Sequence, residues 1–161
     1  MASVRYADLA PDRARWRSTL TYRLHTRVQV GVEFNPVVKE VAPLATVFLE
    51  TEKERSPALF LGTSSDRIGS PEGTQSYYLT LAKYLPFARL APYASLNYSE
   101  WDGMFNFPFG IGLELGNGVY IRHMYDGERT HLMGGLFREH WGVSLLYVWL
   151  EDPGISLTFG W

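Results

Sequence analysis

The sequence predicts an all-β chain, one domain over residues 1–161, closed as an antiparallel up-and-down barrel of about ten strands. Three observations carry this reading. Apolar residues alternate with small or polar ones along most of the chain, as at Ile155, Leu157, Phe159 and Trp161 against Gly154, Ser156, Thr158 and Gly160; side chains of a strand alternate between its faces. Aromatic residues, which favour strands, make up 15% of the chain. The connections fall into two alternating sets, "NPVVKEVA", "SSDRIGSPEGTQ", "SEWDGM", "DGERT" and "EDPG" in one, "ETEKERS", "LPFAR", "GNG" and "REH" in the other, as the two ends of a barrel require.

The elements follow in order. Residues 1–14 read as an N-terminal extension or a short helix, with Pro11 in a first turn. Ser18 to Phe34 reads as one long strand, because "LHTR" in its middle has no Gly, Pro, Asn or Asp to turn the chain. Six segments follow: "APLATVFLE", "PALFLGTSS", "SYYLTLAKY", "APYASLNYSE", "FNFPFGIGLEL" and, beyond the hairpin signal "GNG", residues 119–125. Pro108 cannot donate to a ladder, so a bulge is expected there. "HLMGGLF" is a weaker strand, "WGVSLLYVW" a clear one, and "EDPG" turns the chain into the last. Eight or twelve strands are the alternatives; splitting the first strand at "LHTR" and recruiting "VRYADL" gives twelve.

Composition narrows the partners. The net charge of −2 gives no support to a nucleic-acid partner, and the absence of Cys excludes disulfides and thiolate metal sites. No apolar run is long enough for a transmembrane helix; the opening residues do not read as an export signal, and "MAS" reads as a start on a mature sequence, which leaves room for a removed one.

Alternation alone does not say which solvent the apolar face meets. A soluble ligand-binding barrel points it inward, and a transmembrane barrel points it outward to lipid. Three details favour lipid. The minority face mixes Gly, Ser, Thr and Asn with Arg23, Arg27, Glu33, Glu50, Glu114 and Arg122, which suits a crowded wet lumen better than a soluble surface. Trp101, Phe105, Trp141, Trp149 and Trp161 stand near strand ends, where amphipathic rings meet a membrane interface. Strands of about nine residues are long enough to cross a bilayer when tilted.

The ending "GISLTFGW" resembles the C-terminal signal of bacterial outer-membrane β-barrel proteins, which close on an aromatic with alternating apolar residues behind it. The resemblance implies a bacterial outer-membrane location, contact with membrane lipid and lipopolysaccharide, and recognition of residues 154–161 by the barrel-assembly machinery. It also puts both termini, and hence residues 1–14, on the periplasmic side. The reading is a small integral barrel without catalysis, either a structural or docking component or a narrow pore.

No HExxH, P-loop, GxSxG or acidic calcium loop is present, and neither cofactor nor metal is expected. One enzymatic alternative remains. "GIGLELGNGVYIRHMYDGE" resembles the strand pair of outer-membrane lipid A deacylases. His123 matches their histidine, Tyr125 stands where the nucleophilic Ser belongs, and Glu139 would orient His123. A Tyr at the central position is a poor acyl nucleophile. The charged set Arg23, Arg27, Glu33, Glu50, Glu114 and Arg122, with Arg13, Arg15, Arg17 and His25, reads as a salt-bridge network filling the lumen, or as an anion-attracting wall. Asp66, Arg67, Asp102, Glu128 and Arg129 read as solvated loop charges. A cell-surface protease would need facing Asp/Asp and His/Asp pairs high in the barrel, and Asp126 near His123, with Asp66 and Asp102, is the only material for one.

Protease applied to whole cells should cut within 64–75, the longest Gly/Pro/Ser-rich connection. Cleavage within 50–56 instead would mean the opposite orientation.

Overall fold

A computed structural model of the chain describes residues 1–9, 15–36, 39–67, 70–71 and 73–160. Among them are thirteen strands and no helix: β1 (Ala2–Ala7), β2 (Trp16–His25), β3 (Val28–Asn35), β4 (Glu40–Glu50), β5 (Ala58–Ser65), β6 (Gln75–Ala82), β7 (Leu90–Ser99), β8 (Met104–Asn106), β9 (Phe109–Gly116), β10 (Val119–Tyr125), β11 (Thr130–Phe137), β12 (Trp141–Val148) and β13 (Asp152–Phe159). Neighbours in sequence pair antiparallel except β8 and β9, which both lie against β7, and β1 pairs with β13 from Ala2↔Phe159 to Ala7↔Gly154. The sheet closes on itself as a barrel of twelve strands, with β8 as an extra three-residue strand.

The barrel thus has twelve strands rather than about ten, for two reasons. Residues 2–7 are not an extension or a helix but the strand that joins β2 to β13. The long run Ser18–Phe34 is two strands folded at Thr26–Arg27. No usual turn residue is needed, because the His25 ring takes the part of an Asn or Asp side chain: its Nδ1 accepts the Arg27 N–H at 3.3 Å. A register shift between Arg23 and His25 completes the hairpin.

Pro108 does not make a bulge. The pairs Tyr98↔Phe105, Asn97↔Asn106, Ala94↔Phe109 and Tyr93↔Gly110 run in one register, so β8 and β9 form one line against β7, interrupted at residues 107–108. Pro108 lacks an N–H, but its carbonyl still accepts the Ser95 N–H at 2.8 Å. The last turn is also displaced. Pro153 and Gly154 lie inside β13, and the chain reverses at Trp149 and Leu150, with φ of 56° and 60°.

The two alternating sets of connections fall at opposite ends. The end with both termini, the terminal end, carries the β2–β3, β4–β5, β6–β7, β9–β10 and β11–β12 connections; the others form the distal end. The three register shifts, in β2–β3, β4–β5 and β9–β10, all sit at the terminal rim.

The apolar face points outward. Tyr22 and Leu145 are 64% and 66% exposed, and Leu79, Leu113, Ile121, Ile155 and Leu157 share that face. The inward face is small and polar, with Ser76, Thr80, Asn97 and Ser144 buried. Among the described residues the one buried apolar cluster is also inside: Ala7, Leu9, Leu146 and Val148, with Met133 and Trp149 against it, plug the distal end beside β1 and β12.

Two turns test how conformation sets stability. Leu150→Gly should raise stability by about 1 kcal/mol, because Gly carries no penalty in the left-handed region that Leu150 occupies. Gly118→Ala should lower it, because φ is +73° and an added Cβ would lie 2.0 Å from the Phe137 carbonyl oxygen. Urea midpoints of the folded barrel check both.

Candidate functional site

The inward faces leave a cavity of about 640 Å³. It is lined at the terminal end by Glu52, Lys83 and Tyr84, and at the distal end by Asp66, Arg67, Asp126 and His131, so one space reaches from end to end. Twelve strands about 4.8 Å apart and tilted by about 40° give a wall roughly 24 Å across, where ten would give about 20 Å.

One side of this lumen is aromatic. Phe60 and Tyr78 meet edge to face at 6.3 Å, Phe48 packs on Phe60 at 5.2 Å, and the Tyr78 hydroxyl bonds to Thr46 Oγ1 at 2.8 Å. Tyr93 lies flat against the wall because its neighbour in the ladder is Gly110; a Cβ there would come within 2.6 Å of the Tyr93 ring.

The charged residues singled out in the sequence do not form one network. Glu33 pairs with Arg17 at 3.1 Å and also bonds to Ser65 Oγ. Arg17 in turn donates to the Asp66 carbonyl at 3.3 Å. Glu50 bonds to Lys53, and Glu114 accepts the Tyr84 hydroxyl at 2.8 Å. Arg23 and Arg27 are exposed beside the β2–β3 turn. Arg122 stands 5.9 Å from the centre of the Tyr120 ring. Arg13 lies outside the described residues.

Two lining cations are left over. Arg17, Arg67 and Lys83 each meet a carboxylate. Arg5 and Arg122 line the same cavity with neither an ion pair nor a hydrogen bond among the described residues. Arg5 stands between Arg17 and Ser156 in the ladder, and Arg122 between Gly112 and Met133, so neither has an acid as its ladder partner; Glu33, whose charge also acts on Arg5, is already paired with Arg17. Arg5 escaped the sequence reading because its strand was taken for an extension.

The distal loops are tied by a second set of polar groups. Asp66, only 2% exposed, accepts the Arg67 N–H at 2.8 Å, Ser99 Oγ at 2.6 Å and the Trp101 N–H at 3.3 Å. Arg67 grips Asp102 with both terminal nitrogens, meets Glu128 at 2.7 Å and stacks over Trp101 at 4.5 Å. Asp66, Arg67 and Asp102 are therefore not the solvated loop charges that the sequence suggested, whereas Glu128 and Arg129 are exposed. Asp126 binds not His123 but His131, at 2.7 Å, and also the N–H groups of Glu128 and Arg129 at 2.9 and 2.8 Å. His131 Nδ1 accepts the Trp149 N–H at 3.4 Å, so the network assigns the ring proton to Nε2. Burial pushes the Asp126 carboxyl up, but these hydrogen bonds outweigh it and hold the group below its ordinary value of 3.8. The register Tyr125↔Thr130 brings the two ends of "DGERT" together, the one sequence signal that could have paired Asp126 with His131.

The arrangement ties the distal loops together as a clamp. Ser99 Oγ donates to Asp66 and accepts the Asp102 N–H at 3.2 Å and is not bonded to a histidine, while the Asp102 carboxylate takes the Arg67 guanidinium. Nor do His123, Tyr125 and Glu139 come together. His123 is on the outer face between Ile111 and Leu132. The Tyr125 hydroxyl bonds to the Gly127 carbonyl at 3.0 Å. Glu139 is in the β11–β12 turn at the terminal end, 3.9 Å from His140, with roughly 20 Å of strand between it and His123. Among the described residues, no three His, Asp or Glu converge as metal ligands.

The aromatic residues expected at interfaces divide between the ends. Trp101, Phe105 and Trp149 are distal, and Trp141 is at the terminal end of β12. Trp101 lies under Arg67 and Trp149 under Arg129 (4.7 Å), while Phe105, edge to face with Tyr98 at 5.3 Å, and Trp141 are exposed. Trp161 lies outside the described residues.

No protein-family model, curated protein or solved structure matches the chain. What it is follows from its geometry: a closed antiparallel barrel of twelve strands with an apolar outside and a polar, partly hollow inside.

Asp126→Asn should destabilise the barrel by about 1–3 kcal/mol at neutral pH, because it weakens the acceptor of a buried histidine N–H. A carboxyl held below its unfolded value stabilises above that value, and this contribution fades as pH falls through it. The gap between wild type and variant in urea should therefore narrow as pH drops through the carboxylate range. A gap that stays constant to low pH would refute the role of the charge.

Proposed function

We propose that the chain is an integral β-barrel of a bacterial outer membrane, and that it acts without catalysis as a narrow, anion-preferring pore. One observation carries the membrane reading. Away from the two rims, the described outer face of the barrel holds no Asp, Glu, Lys or Arg, while leucine, isoleucine, valine and aromatic side chains stand exposed all round it. Water-soluble monomers rarely expose contiguous apolar patches beyond a few hundred Å², whereas hydrocarbon accepts such a belt and requires the fully paired backbone that closure supplies. A soluble ligand-binding barrel would turn this face inward.

Further features support the assignment. Phe105 and Phe34 stand exposed near the distal rim, and Trp141, Phe137 and Phe159 near the terminal rim, as two aromatic girdles would. Ile155, Leu157 and Phe159, the row that resembles the outer-membrane assembly signal, point outward on β13. In that setting the terminal end faces the periplasm and the distal loops face outside.

The pore reading rests on the cavity that reaches both ends and on its two unpartnered cations, Arg5 and Arg122. Fixed charge of one sign in a confined lumen raises the local concentration of the opposite ion. The distal plug and the Arg67 clamp leave a narrow path, so currents should be small.

The protein should need detergent to stay monomeric, and Leu145→Arg should impair insertion, at about 2–4 kcal/mol for a cation near the bilayer midplane. Planar bilayers should show small openings whose reversal potential in a salt gradient favours anions, a preference that weakens in Arg122→Ala. A compact monomer in buffer alone would overturn the membrane reading, and silent bilayers the pore.

A further inference from the structure

We infer that the lumen holds a small organic anion with an aromatic body, an arylcarboxylate, with the carboxylate on Arg5 and Arg122 and the ring against Phe60, Tyr78 and Tyr93. The inference rests on the reading of the lumen as a passage for anions, and names what that passage selects.

Position is the first ground. The three aromatic residues come from consecutive strands β5, β6 and β7 and face the same cavity. In the closed ring β1 stands six strands from β7 in either direction, so Arg5 enters from the side opposite Tyr93. Arg122 enters from β10, two places round from β7. Arg122 thus stands nearer the aromatic wall, four places round from β1, and Arg5 across the lumen from it, so a ligand in the middle would meet one cation from each direction and the π-faces between β5 and β7.

Chemistry is the second. A guanidinium presents a planar fork that matches a carboxylate, and such charge-assisted pairs are strong where water is scarce. Among the described residues every other lining cation already has a carboxylate, so Arg5 and Arg122 are the pair left for a ligand. A bare inorganic anion would leave the aromatic wall unused; an uncharged ring would leave the guanidinium groups unmatched. The volume, about 640 Å³, is that of a small-molecule site. The wall is also built in place. Gly110 leaves the room in which Tyr93 lies flat, and Thr46 holds the Tyr78 hydroxyl at 2.8 Å.

The test is calorimetric titration of the detergent-folded barrel with benzoate, benzamide and acetate, with the same three compounds then added to open channels in bilayers. Benzoate should bind saturably and block current; benzamide, with the ring but no charge, and acetate, with the charge but no ring, should each bind at least about tenfold more weakly. Arg5→Gln and Arg122→Gln should each weaken benzoate about tenfold or more, with Arg122→Lys partly restoring it and Arg23→Gln, at the exposed turn, leaving it unchanged. Heat-modifiable mobility on gels verifies that each variant is folded. Equal affinities for benzoate and acetate, or benzoate affinity indifferent to both arginines, would overturn the inference. Channels that conduct anions without benzoate binding would overturn it and leave the pore intact; benzoate binding in a barrel without current would overturn the pore alone.

Discussion

The structure depends on the pairing of the first strand with the last. Six ladder pairs between β1 and β13 turn an open sheet into a barrel and leave no edge. Closure makes an outward apolar face sustainable in hydrocarbon, because every wall strand then has two neighbours and its backbone groups are paired within the protein. It also sets the size of the lumen, since the circumference grows with strand number. The same six residues furnish the interior: Arg5 faces the cavity and Ala7 joins the distal plug. Removing β1 would reopen the sheet and take away one of the two unpartnered cations.

The two rims meet the demands of closure differently. At the terminal end, tight turns and three register shifts absorb the mismatch between strands. At the distal end, polar side chains tie the β5–β6, β7–β8, β10–β11 and β12–β13 connections together through Asp66, Arg67, Asp126 and His131. Trp149 and Leu150 hold a left-handed conformation that non-glycine residues disfavour; the Trp149 N–H bond to His131 and the Arg129 stack over its ring help to hold it there. The terminal rim is thus shaped by backbone irregularity, and the distal rim by side-chain bonds over the mouth of the lumen.

Most of the errors in reading the sequence share a cause. Turn and bulge rules rest on residue type, and here other groups fill those roles. His25 supplies the acceptor that an Asn or Asp normally gives. Pro108 interrupts a ladder without shifting it, because its carbonyl still finds Ser95. "VRYADL" shows only a short alternation, Val4 and Tyr6 against Arg5, and it becomes a strand because β2 and β13 stand on either side of it.

By itself the sequence determined what period-2 geometry encodes locally: the two faces, most strand positions, the GNG hairpin and the sorting of the connections into two ends. Each of these depends on residues within a few positions of one another. Tertiary structure alone decided the closing register, the strand number, the direction in which the apolar face points and the partners of each charge. Those depend on groups far apart in the chain, such as Arg17 with Glu33, Asp66 with Ser99, and Arg5 opposite Tyr93. A one-strand error in the count shifts every such partner around the ring while leaving the alternation untouched. The faces were therefore legible, and the site that they enclose was not.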